Sequence, residues 1–159
     1  MSPASLLTLG ILICFSATSQ CQDLNSFLKK HIVQDNDSIV CDEIIKARNI
    51  ILNNNCKSKN TFIHDTDGHR VKAMCANITK STKVASDIPF NLTDCILKSE
   101  SLPPPNCAYN QKNEKGKIYI TCENHYPVHF DKFLLSGFGV SWTPAILMVV
   151  IPILPSLFL

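Results

Sequence analysis

Residues 56–64 read Cys-Lys-Ser-Lys-Asn-Thr-Phe-Ile-His, or "CKSKNTFIH". The stretch joins a cysteine and two lysines to Thr61-Phe62-Ile63, residues that favour an extended, half-buried strand. Read alone, it is a basic strand tied down by a disulfide, and Lys57 is a solvated charge. Its meaning depends on two histidines far away in the chain, His31 and His129.

Upstream, residues 22–33 (QDLNSFLKKHIV) carry helical spacing. Leu24, Phe27, Leu28, His31 and Ile32 fall on one face, with Lys29 and Lys30 beside it, and Asp23 suits the positive end of the helix dipole. This helix taken by itself makes His31 a core histidine. A second helix is predicted over residues 41–48 and fades into the turn-forming Asn53-Asn54-Asn55. Residues 65–69 (DTDGH) read as a turn and 71–77 as a short third helix. Strands are predicted at 83–86, 90–98, 117–122 and 126–130, with Leu102-Pro103-Pro104-Pro105-Asn106 as a loop that cannot supply ladder hydrogen bonds. Helices first and strands later predict an α+β domain with an antiparallel sheet.

The chain has 159 residues and a formal charge of +2, with 15 Lys+Arg against 13 Asp+Glu. That balance identifies no nucleic-acid partner by itself. Every formal charge lies between Asp23 and Lys132, so two uncharged segments flank a polar middle. Residues 1–21 resemble a secretory signal: an apolar run from Leu6 to Phe15, then small residues before a cut after Cys21. That cut leaves Cys41, Cys56, Cys75, Cys95, Cys107 and Cys122, an even set that predicts disulfides in an oxidising compartment. Spacing leaves their pairing open. No cysteine or histidine pair has metal-ligand spacing, so neither a zinc site nor a cofactor is expected. Asn36, Asn77 and Asn91 begin Asn-x-Ser/Thr glycosylation patterns.

Three stretches combine with residues 56–64 as their centre: "FLKKHI", "CKSKNTFIH" and "CENHYPVHFD". Together they resemble the pancreatic ribonuclease (ribonuclease A) superfamily, in particular its amphibian, onconase-like branch, over about residues 22–131. The resemblance implies three helices packed on a bent antiparallel β-sheet. It pairs Cys41 with Cys95, Cys56 with Cys107 and Cys75 with Cys122. A fourth bridge of the amphibian members is missing here, with Tyr119 in place of one cysteine and no cysteine after Cys122.

The chemistry follows from residue types. RNA carries its own nucleophile, the 2′-OH, and needs a base to deprotonate it and an acid for the departing 5′-oxygen. Imidazoles suit both tasks near neutral pH, and a fixed cation stabilises the charge that develops at phosphorus. By the resemblance, His31 is the base, His129 the acid and Lys57 the cation, so a phosphate is what Lys57 is expected to meet. Lys30 and the Phe130 backbone N–H are expected at phosphate, and Thr61 at a pyrimidine with Asp94 tuning its hydroxyl. Thr121 and Glu123 match positions that meet a guanine on the 3′ side. Asp131, two residues after His129, is expected to fix the tautomer of that imidazole. Gln22 at a new N-terminus is able to cyclise to pyroglutamate. His64, His69 and His125 are read as structural or solvent-exposed.

The expected activity is cleavage of single-stranded RNA after pyrimidines through a 2′,3′-cyclic phosphate, by a monomer without metal. The other reading is a host-defence, cytotoxic or lectin-like protein on the same scaffold, in which catalysis is incidental. Residues 133–159 form an uncharged hydrophobic tail, long enough for a bilayer, for which about 20 apolar residues suffice. Three readings stay open for it: a GPI-attachment signal, a retained membrane anchor, or a simple hydrophobic extension. The product is expected outside the cell, free or tethered to its surface.

Overall fold

The computed structural model describes residues 23–136; the expected signal segment, Gln22 and residues 137–159 of the tail lie outside that range. Helix α1 covers residues 23–31, two residues shorter at its C-terminus than the spacing predicts. Ile32–Val33 leave it to form β1, which pairs in parallel with Ile63 and His64. Both residues are β-branched and become buried, which favours the exit.

Helix α2 (Cys41–Ala47) carries Asp42 and Glu43 in its first turn and Lys46 in its last, matching the helix dipole. No side chain of its own caps it. Instead Gln111 Oε1 accepts from the Cys41 N–H at 3.0 Å, and Asp42 accepts from the Tyr109 N–H at 2.7 Å, so a distant strand completes its first turn. Strands β2 (Ile51–Leu52) and β3 (Asn55–Cys56) form a ribbon. Asn53 and Asn54 both have positive φ, as a tight hairpin turn requires. Strand β4 (Lys59–His64) follows, then a 3₁₀ turn (Thr66–Gly68) and α3 (His69–Cys75). The buried Asp65 carboxylate accepts from the N–H groups of Arg70 and Val71, satisfying donors that the helix start leaves free.

The remaining strands are β5 (Thr82–Ala85), β6 (Phe90–Leu97), β7 (Tyr109–Glu123) and β8 (Tyr126–Leu135). The main sheet runs β1-β4-β6-β7-β5, with β8 also on β7. It is antiparallel except for the short β1–β4 pair, a departure from the all-antiparallel expectation. β7 pairs with β6 along its first half and with β5 and β8 along its second. Its first half escapes the sequence reading because residues 110–116 (NQKNEKG) hold no apolar side chain and lack alternation. β8 runs to Leu135, three residues past the expected boundary at 132, and Phe133 packs against the core.

Two cores result. One joins Phe27, Ile63, Val71, Phe90, Leu92, Ile118 and Ile120; the other joins Val33, Ile45, Phe62 and Tyr109. Disulfides link Cys41–Cys95, Cys56–Cys107 and Cys75–Cys122, the pairing that the resemblance implies. This is the α+β ribonuclease A-like architecture: three helices on a curled sheet.

Candidate active site

A cleft of about 340 Å³ opens between α1, β4 and β8. His31, Lys57, Thr61 and His129 line it, together with Lys59, Asn60, Phe130, Asp131, Lys132 and Phe133. The three groups expected to act on phosphate, dispersed along the sequence, therefore face one space. A larger cavity, about 450 Å³, includes His64, Asn91, Thr93 and Asn113. Its histidine is engaged structurally, with Nε2 2.9 Å from Thr93 Oγ1 and Nδ1 3.3 Å from the Gln34 carbonyl. The smaller cleft is the chemically competent one.

His31 ends α1 on the apolar face, and only 7% of it is exposed. Its Nδ1–H donates to the Thr61 carbonyl at 2.9 Å, which leaves Nε2 as the acceptor. The Phe27 and Phe130 rings flank it, Phe130 stacked at 5.3 Å. Burial lowers its pKa to about 4, the bond to Thr61 opposes that shift, and the charges of Lys57, Lys30 and His129 add to it. The imidazole is thus held neutral, as a proton acceptor must be.

Lys57 is placed from both sides of the backbone. Cys56 is bonded to Cys107, and the Tyr109 hydroxyl donates to the Lys57 carbonyl at 3.0 Å. Its ammonium donates to Asn60 Oδ1 at 2.9 Å, and Asn60 Nδ2 donates to the Lys30 carbonyl at 2.9 Å. Burial, then repulsion from Lys30, lowers the Lys57 pKa. Asn60 is buried and links helix, strand and lysine; the sequence reading passes over it, although it sits between Lys57 and Thr61 in the stretch that decides the fold.

Thr61 Oγ1 donates to Asp94 Oδ1 at 2.8 Å, and Lys59 pairs with Asp94 Oδ2 at 3.0 Å. The expected Thr61–Asp94 partnership is therefore present, with Lys59 as an unforeseen third member. Lys59 also lies 5.1 Å over the Phe133 ring. Phe133, which the sequence reading assigns to the tail, is a wall of the cleft.

Asp131 departs from expectation. One carboxylate oxygen accepts from Thr121 Oγ1 at 2.9 Å and the other pairs with Lys83 at 2.8 Å. Among the described residues it makes no hydrogen bond to His129. A β-bulge between the Tyr119–Lys132 and Ile120–Phe130 pairs leaves Asp131 outside the ladder, and bulges re-aim side chains. Burial raises its pKa, but the bonds from Lys83 and Thr121 and the charges of Lys83 and His129 outweigh it, for a net lowering. Glu123 is exposed at the end of β7, two residues beyond Thr121. His69 is exposed at the start of α3, and His125 Nδ1 lies 2.7 Å from the Ala76 carbonyl.

Disulfide framework, sheet topology and cleft together define a ribonuclease of the pancreatic type. The chain belongs to the pancreatic ribonuclease family, whose model matches residues 22–131. It is 39% identical over 109 residues to Protein P-30 of Lithobates pipiens, covering 69% of this chain and 94% of that one. To the oocytes ribonuclease of Aquarana catesbeiana it is 36% identical over 125 residues, covering 79% and 90%. Among solved structures, it resembles amphinase, described as a novel cytotoxic ribonuclease from Rana pipiens oocytes. That match has a TM-score of 0.57 and 34% identity, and covers 72% of this chain and 99% of that one.

Proposed function

We propose that the protein is an endoribonuclease that cleaves single-stranded RNA on the 3′ side of pyrimidines, yielding a 2′,3′-cyclic phosphate and a free 5′-OH. The observation that carries this reading is the convergence of His31, Lys57 and His129 on one cleft. His31, held neutral chiefly by burial, takes the 2′-OH proton. A phosphate anion there offsets the repulsion from Lys57, Lys30 and His129 and brings the imidazole toward a useful basicity. Lys57 stabilises the charge that develops at phosphorus, and His129 protonates the leaving 5′-oxygen. Lys30 and the Phe130 backbone N–H add phosphate contacts. Thr61 reads the pyrimidine, with Asp94 holding its hydroxyl proton. Thr121 and Glu123 meet a guanine on the 3′ side. The chemistry balances with side chains alone and calls for no metal.

The test is turnover of UpG followed by cyclic-phosphate release. His129→Ala is expected to lower kcat by roughly 10²–10⁴-fold, the usual share of a positioned acid. An unchanged rate would remove His129 from the reaction.

Three disulfides support a secreted protein. The uncharged C-terminal segment supports tethering to a membrane surface; among the described residues no helix is long and apolar enough to cross one. Asn36, Asn77 and Asn91 are all exposed, as glycan carriers must be. The cytotoxic description of amphinase supports a second reading, host defence on the same scaffold. Full biological potency in a His31→Ala/His129→Ala protein would favour a binding role over catalysis.

A further inference from the structure

Asp131 lines the phosphate cleft, and Thr121 on β7 and Lys83 on β5 both hold its carboxylate. Thr121 faces His129 directly across the β7–β8 ladder, and Asp131 follows His129 on the same strand. The Thr121 hydroxyl has a single hydrogen, and it is spent on Asp131 Oδ2 at 2.9 Å. Lys83 holds Oδ1 at 2.8 Å from the far side, so the carboxylate stays anchored if Thr121 lets go. Asp131 is only 14% exposed in its side chain, which makes an oxygen without a partner costly there.

We propose that these three residues form a relay through which the base on the 3′ side of the cleaved bond orients His129. The inference rests on the ribonuclease reading above and assigns to that site a coupling between recognition and chemistry. Guanine offers an acceptor, O6, beside two donors, N1–H and N2–H₂. With Glu123 accepting from the donors, Thr121 two residues earlier turns its hydrogen to O6. Asp131 Oδ2 then loses its donor. The neighbouring His129 ring N–H is the group that replaces it, which fixes the imidazole with its other nitrogen toward the leaving oxygen. Only hydrogen bonds exchange; no proton changes owner until His129 delivers its own to the 5′-oxygen. Without a 3′ base, Thr121 keeps Asp131 and His129 is unanchored. Asp131 and Thr121 are thus positioning residues that act on the rate of the acid step, beyond any part in affinity.

The experiment compares kcat and KM for UpG and for uridine 3′-(methyl phosphate), which lacks a 3′ base but keeps a poor leaving group. In the unaltered protein UpG should have the higher kcat. Thr121→Val keeps the β-branched shape and removes the hydroxyl, freeing Asp131 Oδ2 permanently. It is expected to raise kcat for the methyl ester by roughly threefold to tenfold, a fraction of what a general acid supplies, and to erase the kcat advantage of UpG. Adding Asp131→Asn should cancel the gain. Lys83→Met, at an exposed position that tolerates change, should lower kcat for UpG with little effect on its KM. An effect of Thr121→Val on the KM for UpG alone, or an equal loss of kcat on both substrates, overturns the relay and leaves Thr121 a simple base contact. If the unaltered protein cleaves neither substrate, or cleaves both without His129, the ribonuclease reading of the site fails instead.

Discussion

At His31 the fold sets a titratable ring against its surroundings. Phe27 and Phe130 pack on it, the Lys57 and Lys30 ammonium groups and the His129 ring lie near it, and water is largely excluded. Its pKa falls from 6.5 to about 4 on folding, so between those values the unfolded chain binds more protons than the folded one. Stability is accordingly full above about pH 6.5 and declines as the pH drops toward 4. The loss over that window is on the order of a few kcal/mol. Urea unfolding at a series of pH values should show this slope, and His31→Asn should flatten it. NMR titration of the imidazole should find its midpoint well below 6.5 in the free protein and higher once phosphate is bound. At this scale the sequence was informative about identity and silent about environment. Helical spacing placed His31 on the apolar stripe, but the carbonyl it bonds comes from Thr61, on a strand made much later in the chain.

Elements are joined here by side chains that reach between them, and the start of α3 is a case in point. Gly68 has φ +67°, and a Cβ added there would stand 2.8 Å from Leu28 Cδ2 on α1. Gly68→Ala combines a left-handed backbone penalty of roughly 1–2 kcal/mol with crowding of the helix that carries His31. A loss of about 1–3 kcal/mol is expected, read as a lower midpoint in chemical denaturation at constant m-value. An unchanged midpoint would mean that α1 yields freely. The two-residue strands β1, β2 and β3 escaped the reading, while the three helices and strands β4, β5 and β6 were legible because their patterns are local. The first half of β7 was not: residues 110–116 become a strand because β6 offers a complete ladder, a tertiary cause that leaves no pattern in its own residues. The extension of β8 was equally hidden, since Phe133 reads as the beginning of an apolar tail until it is seen packed under Lys59.

For the whole molecule, three covalent links hold two modest cores together. The Cys56–Cys107 bridge closes a sequence separation of 51 residues, worth about 4 kcal/mol by chain entropy. It also fixes the backbone that presents Lys57. A Cys56→Ala/Cys107→Ala protein should lose roughly 2–5 kcal/mol of stability. Assayed well below its melting temperature, it should also have a lower kcat for UpG, because a loosened Lys57 no longer meets the developing charge in a fixed place. Normal kcat in that protein would show that Asn60 and Tyr109 suffice to hold the lysine. The expected pairing of all six cysteines holds, yet it came from resemblance; spacing alone left the choice open, because sequence distance says nothing about which cysteines a sheet brings within bonding range.

By itself, the sequence determined the kind of molecule: local helix and strand patterns, an even set of cysteines, and the short motifs that carry two histidines and a lysine. These are properties of residue type and near-neighbour spacing, so they survive without coordinates. Only the tertiary structure decided which partners those residues take. Asp131 stands beside His129 in the chain, yet Thr121 and Lys83 hold it, because a bulge turns its side chain and two other strands bring donors to it. Hydrogen bonds and ion pairs depend on distances of a few ångströms between segments remote in sequence, and folding alone sets those distances.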